Sequence, residues 1–223
     1  MSSQVQAKYL RKNMKSKKHF KILLLLIVFG GVLISCGSKE GKLPILGSKE
    51  PINDGKDTIY HKIPDFSFND QNGKTITAKT FENKIYVADF FFTSCTTICP
   101  VMGKEMQRLY KKYKGNEKIA FLSHSIDPAH DSVPVLKEYS EDLGVDNHQW
   151  HFVTGEQEAI FNMAQNHYMI SAMRDSTLPD GVLHSGAFIL VDSQKRIRGY
   201  YDGTSNKEVD KLISDISILL QHN

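Results

Sequence analysis

The stretch Ile85-Tyr86-Val87-Ala88-Asp89-Phe90-Phe91-Phe92-Thr93-Ser94-Cys95-Thr96-Thr97-Ile98-Cys99-Pro100-Val101-Met102 decides the fold. Ile85–Phe92 reads as a continuous apolar strand, the kind buried at the centre of a sheet. From Cys95 to Tyr113 the pattern turns helical: Met102, Met106, Leu109, Tyr110 and Tyr113 recur at helical spacing. Pro100 fits the first turn of that helix, where a missing N–H costs nothing. Two cysteines four residues apart therefore open a helix directly after a buried strand.

The same alternation continues outward. Phe66 and Phe68 alternate with polar residues, Asn72-Gly73 makes a turn, and Thr75-Ile76-Thr77 follows, which reads as a β-hairpin. A second strand is predicted over Ile119–Ile126, a helix over Val133–Leu143 closed by Gly144, a short strand over Trp150–Val153 and a helix over Glu156–His167. Two strands, Ala187–Val191 and Ile197–Tyr201, are joined by a turn containing Asp192-Ser193, and Lys207–Leu220 is a final amphipathic helix. Strands alternating with helices, and a late antiparallel hairpin, predict an α/β sandwich around a central mixed sheet flanked by helices. No internal repeat interrupts it.

The amino-terminal part is different in kind. Residues 1–36 hold seven basic residues (Lys8, Arg11, Lys12, Lys15, Lys17, Lys18 and Lys21) and no acidic one. An apolar run of 13 residues, Ile22 to Ile34, precedes Ser35-Cys36. This is the length of a signal-peptide core, short of the roughly 20 residues of a membrane span. Leu33-Ile34-Ser35-Cys36 resembles a bacterial lipobox, which implies cleavage before Cys36 and lipid on its sulfur. The alternative is an uncleaved anchor helix. Met14 is a second candidate start, since Lys15–Lys21 alone supply a basic n-region. Either reading puts the domain outside the cytoplasm, anchored to a bacterial membrane, where paired thiols can oxidise. Residues 37–56, rich in Gly, Ser, Lys and Pro, read as a flexible tether, and 57–223 as the folded domain.

The whole chain carries a net charge of +3. Removing the seven leader residues from 28 basic ones leaves 21 against 25 acidic, a net of −4. The domain is mildly acidic and has no basic stripe with interleaved aromatics, so it is not expected to bind nucleic acid.

With Cys36 assigned to lipid, Cys95 and Cys99 are the only remaining cysteines. On a helix, residues i and i+4 share a face with Cβ atoms about 5–6 Å apart. That spacing permits a disulfide after slight adjustment, a redox-active pair, or two sulfurs turned on one metal ion. A helix N-terminus favours thiolate, which exchange chemistry and soft-metal binding both require.

The segment from Phe91 to Met102 resembles the signature of the Sco/SenC family. Two further segments agree in order and spacing: Ser125-Ile126-Asp127-Pro128 followed by Asp131, and His184-Ser185 just before the strand Ala187–Val191. The resemblance covers about residues 58–221. It implies a thioredoxin-like fold and a membrane-tethered, copper-binding protein of cytochrome c oxidase assembly. Its copper ligands would be Cys95, Cys99 and His184, with Cys95–Cys99 as the redox or disulfide pair. Its partners would be the copper-bearing oxidase subunit or another copper chaperone. The family often has an acidic residue before the histidine; here it is Leu183, so Asp180 or nothing is left to orient the imidazole, and Asp127 is read as a group near the cysteines that tunes them. Asp127 reads also as a turn cap. His124 could face the site from the second strand. His130, His148, His151 and His167 read as loop or surface groups, and Met163, Met169 and Met173 as packing. The competing reading is a thiol–disulfide oxidoreductase in which Cys95 attacks and Cys99 resolves. The Cys-x-x-x-Cys spacing, and the lack of a proline immediately before Ala187, weigh against general thioredoxin-type turnover.

Overall fold

The computed structural model describes residues 41–145, 149–174 and 182–221; for 172–174 and 182–184 it describes the backbone alone. Strand β5 (Ile85–Phe91) is central and buried along its whole length. It pairs in parallel with β6 (Ile119–Ser125), also wholly buried, which pairs in parallel with β7 (Trp150–Thr154). Such strands need cover on both faces. On the other side of β5, β10 (Ala187–Val191) is antiparallel and carries β11 (Ile197–Asp202) as the end strand. Beyond β7 lies the hairpin β3 (Ser67–Asp70) and β4 (Thr75–Thr77). The seven-stranded order is β11-β10-β5-β6-β7-β3-β4. The mixed sheet flanked by helices is the one the sequence predicts.

Helix α1 (Cys99–Tyr113) lays Met102, Met106, Leu109, Tyr110 and Tyr113 on one face of the sheet, as their spacing predicts. Tyr110 meets Phe121 and Trp150 there, at ring separations of 6.1 and 5.8 Å. Helix α2 (Val133–Asp142) places Tyr139 against Phe91 and Phe152 on that face, and ends at Gly144, whose φ of +64° suits glycine. The opposite face is an aromatic layer of Phe66, Phe68, Phe81, Phe90 and Tyr168. Tyr168 follows α3 (Gln157–Asn162), which runs into one π turn over Met163–His167. Helix α4 (Asn206–Gln221) leans on α1: the Tyr113 hydroxyl donates to the Ile213 carbonyl at 3.0 Å, and Arg108 pairs with Asp210 at 2.6 Å.

Three features depart from the sequence pattern. Helix α1 begins at Cys99, not Cys95. Inside the stretch read as tether, β1 (Lys49–Ile52) forms an antiparallel hairpin with β2 (Asp57–Tyr60). All four β1 residues are exposed, so no apolar alternation marks them in the sequence. Leu43 and Leu46 pack against the core, the Leu46 N–H donates to the Ile197 carbonyl at 2.9 Å, and Arg198 donates to the carbonyls of Pro44 (2.8 Å) and Leu43. Finally, β8 (Ala172–Arg174) and β9 (Val182–His184) form a small antiparallel ribbon outside the main sheet. Cys36, Asp180 and His148 lie outside the described residues, as do the side chains of Met173, Leu183 and His184.

Candidate metal centre

Strand β5 ends at Phe91, and the chain turns: the Cys95 N–H donates to the Phe92 carbonyl at 3.3 Å. Cys95 thus sits in the turn before the helix, and Cys99 is the first helical residue, followed by Pro100. The shared helical face expected for the pair is replaced by a more specific contact. The first N–H groups of a helix lack intrahelical partners, and the Cys99 N–H donates to the Cys95 sulfur at 3.4 Å. Ile98, at the N-cap position, has no side-chain cap to offer. The Thr97 hydroxyl lies 3.6 Å from the same sulfur. Neither cysteine is in a disulfide, and they are 6% and 3% exposed.

This arrangement separates the two thiols electrostatically. Burial pushes the Cys95 thiol up, but hydrogen bonds from the Cys99 thiol, the Thr97 side chain and the two backbone N–H groups outweigh it and hold the net value below the ordinary one. Cys99 is pushed well up by burial, by donating to Cys95 and by the nearby charges of Cys95 and Asp89. The two thiols are thus displaced in opposite directions.

Asp89 is a participant that the apolar run around it conceals. It lies on the same sheet face as α1, opposite Ser123, whose hydroxyl donates to Asp89 Oδ1 at 2.5 Å while accepting from Trp150 Nε1 at 2.9 Å. Burial raises its carboxyl to about 7, against the Ser123 hydrogen bond. A lone carboxylate inside a wholly buried strand is the sequence signal that could have found it.

Asp127 caps its turn through its backbone carbonyl, which accepts from the N–H groups of His130 (3.1 Å) and Asp131 (2.9 Å). The carboxylate that reaches the cysteine loop belongs to Asp131, which is 0% exposed. It accepts from the Thr93 N–H at 3.1 Å and from the hydroxyls of Thr93 and Ser125, each at 2.5 Å, and lies 3.0 Å from His130 Nδ1.

His184 ends β9, in register with Ala172. The next residues approach Ile98, the residue before Cys99: Ser185 and Gly186 line a cleft of about 490 Å³ together with it. Among the described residues, no three His, Cys, Asp or Glu side chains are grouped to hold a metal ion.

His124 does not face the cysteines. It lies on the opposite sheet face, 0% exposed, stacked on Phe90 with ring centroids 4.6 Å apart, and its Nε2 has no partner. The alternation of β6, which puts Ser123 beneath α1, necessarily turns His124 away. His151 is a core residue, not a surface group: it lies on β7 with Nδ1 3.1 Å from Asp70 Oδ2. His130 is exposed, and Met163 packs in the core while Met169 is exposed.

The SCO1/SenC family model matches residues 55–221. The chain belongs to the SCO1/SenC family. The SCO1 protein homolog of Bacillus subtilis (strain 168) is 31% identical over 163 residues, covering 72% of this chain and 84% of that protein. Among solved structures, a SCO1/SenC family lipoprotein from Bacillus anthracis str. Ames matches at 30% identity and TM-score 0.66, over 72% of this chain and 95% of that one. BsSco, a member of the Sco family of cytochrome c oxidase assembly proteins in which a disulfide switch was identified, matches at 30% identity and TM-score 0.62, over 76% and 95%. Arabidopsis thaliana ScoI with copper bound matches in fold at 24% identity and TM-score 0.59, over 72% and 98%. This SCO1/SenC protein accordingly has the thioredoxin-like fold that the resemblance implies.

Proposed function

We propose that this SCO1/SenC protein is a copper chaperone of cytochrome c oxidase assembly. Copper is its cargo, held by the sulfurs of Cys95 and Cys99 and by an imidazole nitrogen of His184. The recipient is the dinuclear copper centre of the oxidase, reached through its copper-bearing subunit, and another copper chaperone is the alternative partner. The observation that carries the reading is the thiol pair at the start of α1, not joined in a disulfide, with the Cys95 sulfur collecting donors from Cys99 and Thr97. Thiolates and imidazole are the ligand types that suit Cu(I) and also hold Cu(II). The approach of Ser185 and Gly186 to Ile98 supports bringing His184 to the pair. Lipid on Cys36 would keep the domain outside the cytoplasm, anchored to a bacterial membrane, while Asp180 would orient the imidazole and Asp127 would tune the cysteines.

Copper titration of the reduced protein tests the ligand set. One equivalent bound by the wild type, and affinity lost on Cys95→Ser, Cys99→Ser or His184→Ala, is the expected result. Unchanged affinity and stoichiometry in His184→Ala would remove His184 from the centre. Incorporation of a labelled fatty acid by the wild type, and its loss in Cys36→Ser, tests the lipid.

A second reading, thiol–disulfide exchange on oxidase cysteines or in redox defence, is favoured by the opposite displacement of the two thiols. In a strain lacking the protein, rescue of oxidase activity by added copper supports delivery. Rescue by a small thiol reductant supports exchange.

A further inference from the structure

We propose that Asp131 is the positioning residue of the cysteine pair: it holds the turn that carries Cys95 against the start of α1. The inference rests on the reading of Cys95 and Cys99 as the working site.

The backbone between β5 and α1 can be followed group by group. The last ladder bond at the end of β5 runs from the Ile126 N–H to the Phe91 carbonyl, at 2.9 Å. The Phe92 carbonyl then accepts the Cys95 N–H, closing a four-residue turn in which Thr93 and Ser94 are the central positions. Thr93 is therefore the first central residue of the turn that follows the sheet, and it sets the direction of that turn. It is gripped at two points by one carboxylate, its N–H on Asp131 Oδ2 and its hydroxyl on Oδ1. A two-point grip fixes the backbone and the rotamer of Thr93 together, which a single bond does not.

The carboxylate is itself immobilised. Ser125, the last residue of β6, donates to Oδ2, and the Asp131 N–H is tied to the Asp127 carbonyl. A buried carboxylate is tolerable only when its oxygens are hydrogen-bonded, and half of what satisfies this one comes from 38 residues away in sequence. An aspartate needed only to close its own 127–131 turn would require neither Thr93 contact. The chain from the sheet to the sulfur is thus Ser125 and Asp131, then Thr93, then Cys95. Through it the rigid end of β6 sets where the Cys95 sulfur stands relative to Cys99.

The consequence is a high effective concentration of one thiol for the other. It is read from the equilibrium in which the dithiol and oxidised glutathione give the Cys95–Cys99 disulfide and two reduced glutathiones. The full chain carrying Cys36→Ser, in detergent, confines the measurement to this pair. Asp131→Asn puts an NH₂ group among donors, and Thr93→Val removes the hydroxyl donor while keeping the side-chain shape. The equilibrium constant should fall at least tenfold in Asp131→Asn and at least threefold in Thr93→Val. The double variant should be no worse than Asp131→Asn alone, because both changes break one interaction. Thr93→Ser, which keeps both donors, should stay within twofold of the wild type.

Thermal unfolding of each variant separates positioning from simple support, since a merely structural role would lower Tm without moving the equilibrium. If both Asp131→Asn and Thr93→Val stay within twofold, the inference is overturned. If Asp131→Asn fails to fold, Thr93→Val decides alone. Copper binding is measured separately, so a wild type that binds no copper sinks the chaperone reading and leaves the test of Asp131 intact.

Discussion

The sulfur of Cys95 accepts the backbone N–H of Cys99 at 3.4 Å, so the first amide of α1 serves one member of the pair and not the other. The cysteines are thereby made unequal by the fold itself. With the Cys99 thiol pushed up by burial and by its bond to Cys95, Cys95 is the sulfur expected to attack if the pair exchanges disulfides. Cys99→Ser should form a lasting mixed disulfide with an aromatic disulfide reagent. Cys95→Ser should react with it roughly tenfold more slowly or worse, because Cys99 is left with little thiolate. Equal rates, followed by stopped-flow absorbance near neutral pH, would refute the assignment.

Asp89 predicts an unusual dependence of stability on pH. Its folded value of about 7 lies above the ordinary 3.8, because it is buried. Between these values the folded chain keeps a proton that the unfolded chain has released, so stability declines as pH rises, by about 1.4 kcal/mol per unit. Asp89→Asn removes the penalty and retains an acceptor for Ser123. Allowing about 1–3 kcal/mol for its buried amide donors, the variant should be more stable than the wild type at pH 8 by roughly 2 kcal/mol. It should show no advantage at pH 4. Urea unfolding at the two values is the measurement, and a variant less stable at pH 8 contradicts the prediction.

His124 works in the opposite direction. Burial lowers its folded value to about 3 from 6.5, against a weak hydrogen bond to the Asp89 carbonyl. The stability that comes from keeping it neutral is present above pH 6.5. It is lost as pH falls toward 3, again by about 1.4 kcal/mol per unit. From pH 3.8 to 6.5 the His124 and Asp89 slopes oppose each other, and the wild type should be nearly flat there. In Asp89→Asn stability should rise with pH over that range, with the buried His151, also lowered by burial, adding to the His124 slope. His124→Leu should shift the acid-unfolding midpoint to lower pH, which circular dichroism during an acid titration would follow.

Most of the sheet and its helices are legible in the sequence because burial writes a pattern. Ile85–Phe92 and the Met102/Met106/Leu109/Tyr110/Tyr113 series sit where their apolar spacing puts them. The hairpin β1–β2 leaves no such pattern, because its first strand buries nothing. The site divides in the same way. Cys95 and Cys99 are found by residue type and spacing, but the start of α1 is set by a sulfur taking the capping role, which spacing does not encode. Asp131 and Thr93 meet only because β5 and β6 end side by side, and Asp89 is hidden by apolar neighbours. His124 shows the converse: a chemically suggestive residue near the right motif, turned away by strand alternation.

The clasp of Arg198 on Leu43 and Pro44 has a consequence for how the sheet ends. Strand β11 is terminal, and an uncovered strand offers its free carbonyls and amides as a template for another chain. The Leu46 N–H occupies the Ile197 carbonyl, so the segment ahead of the hairpin acts as an edge guard. A fragment cut at residue 57, the boundary that composition alone indicates, would lose this guard and leave the guanidinium of Arg198 without its two carbonyl acceptors. Such a fragment should self-associate in light scattering where residues 42–223 stay monomeric. A stretch that reads as leash would then be what keeps neighbouring molecules from joining sheet to sheet.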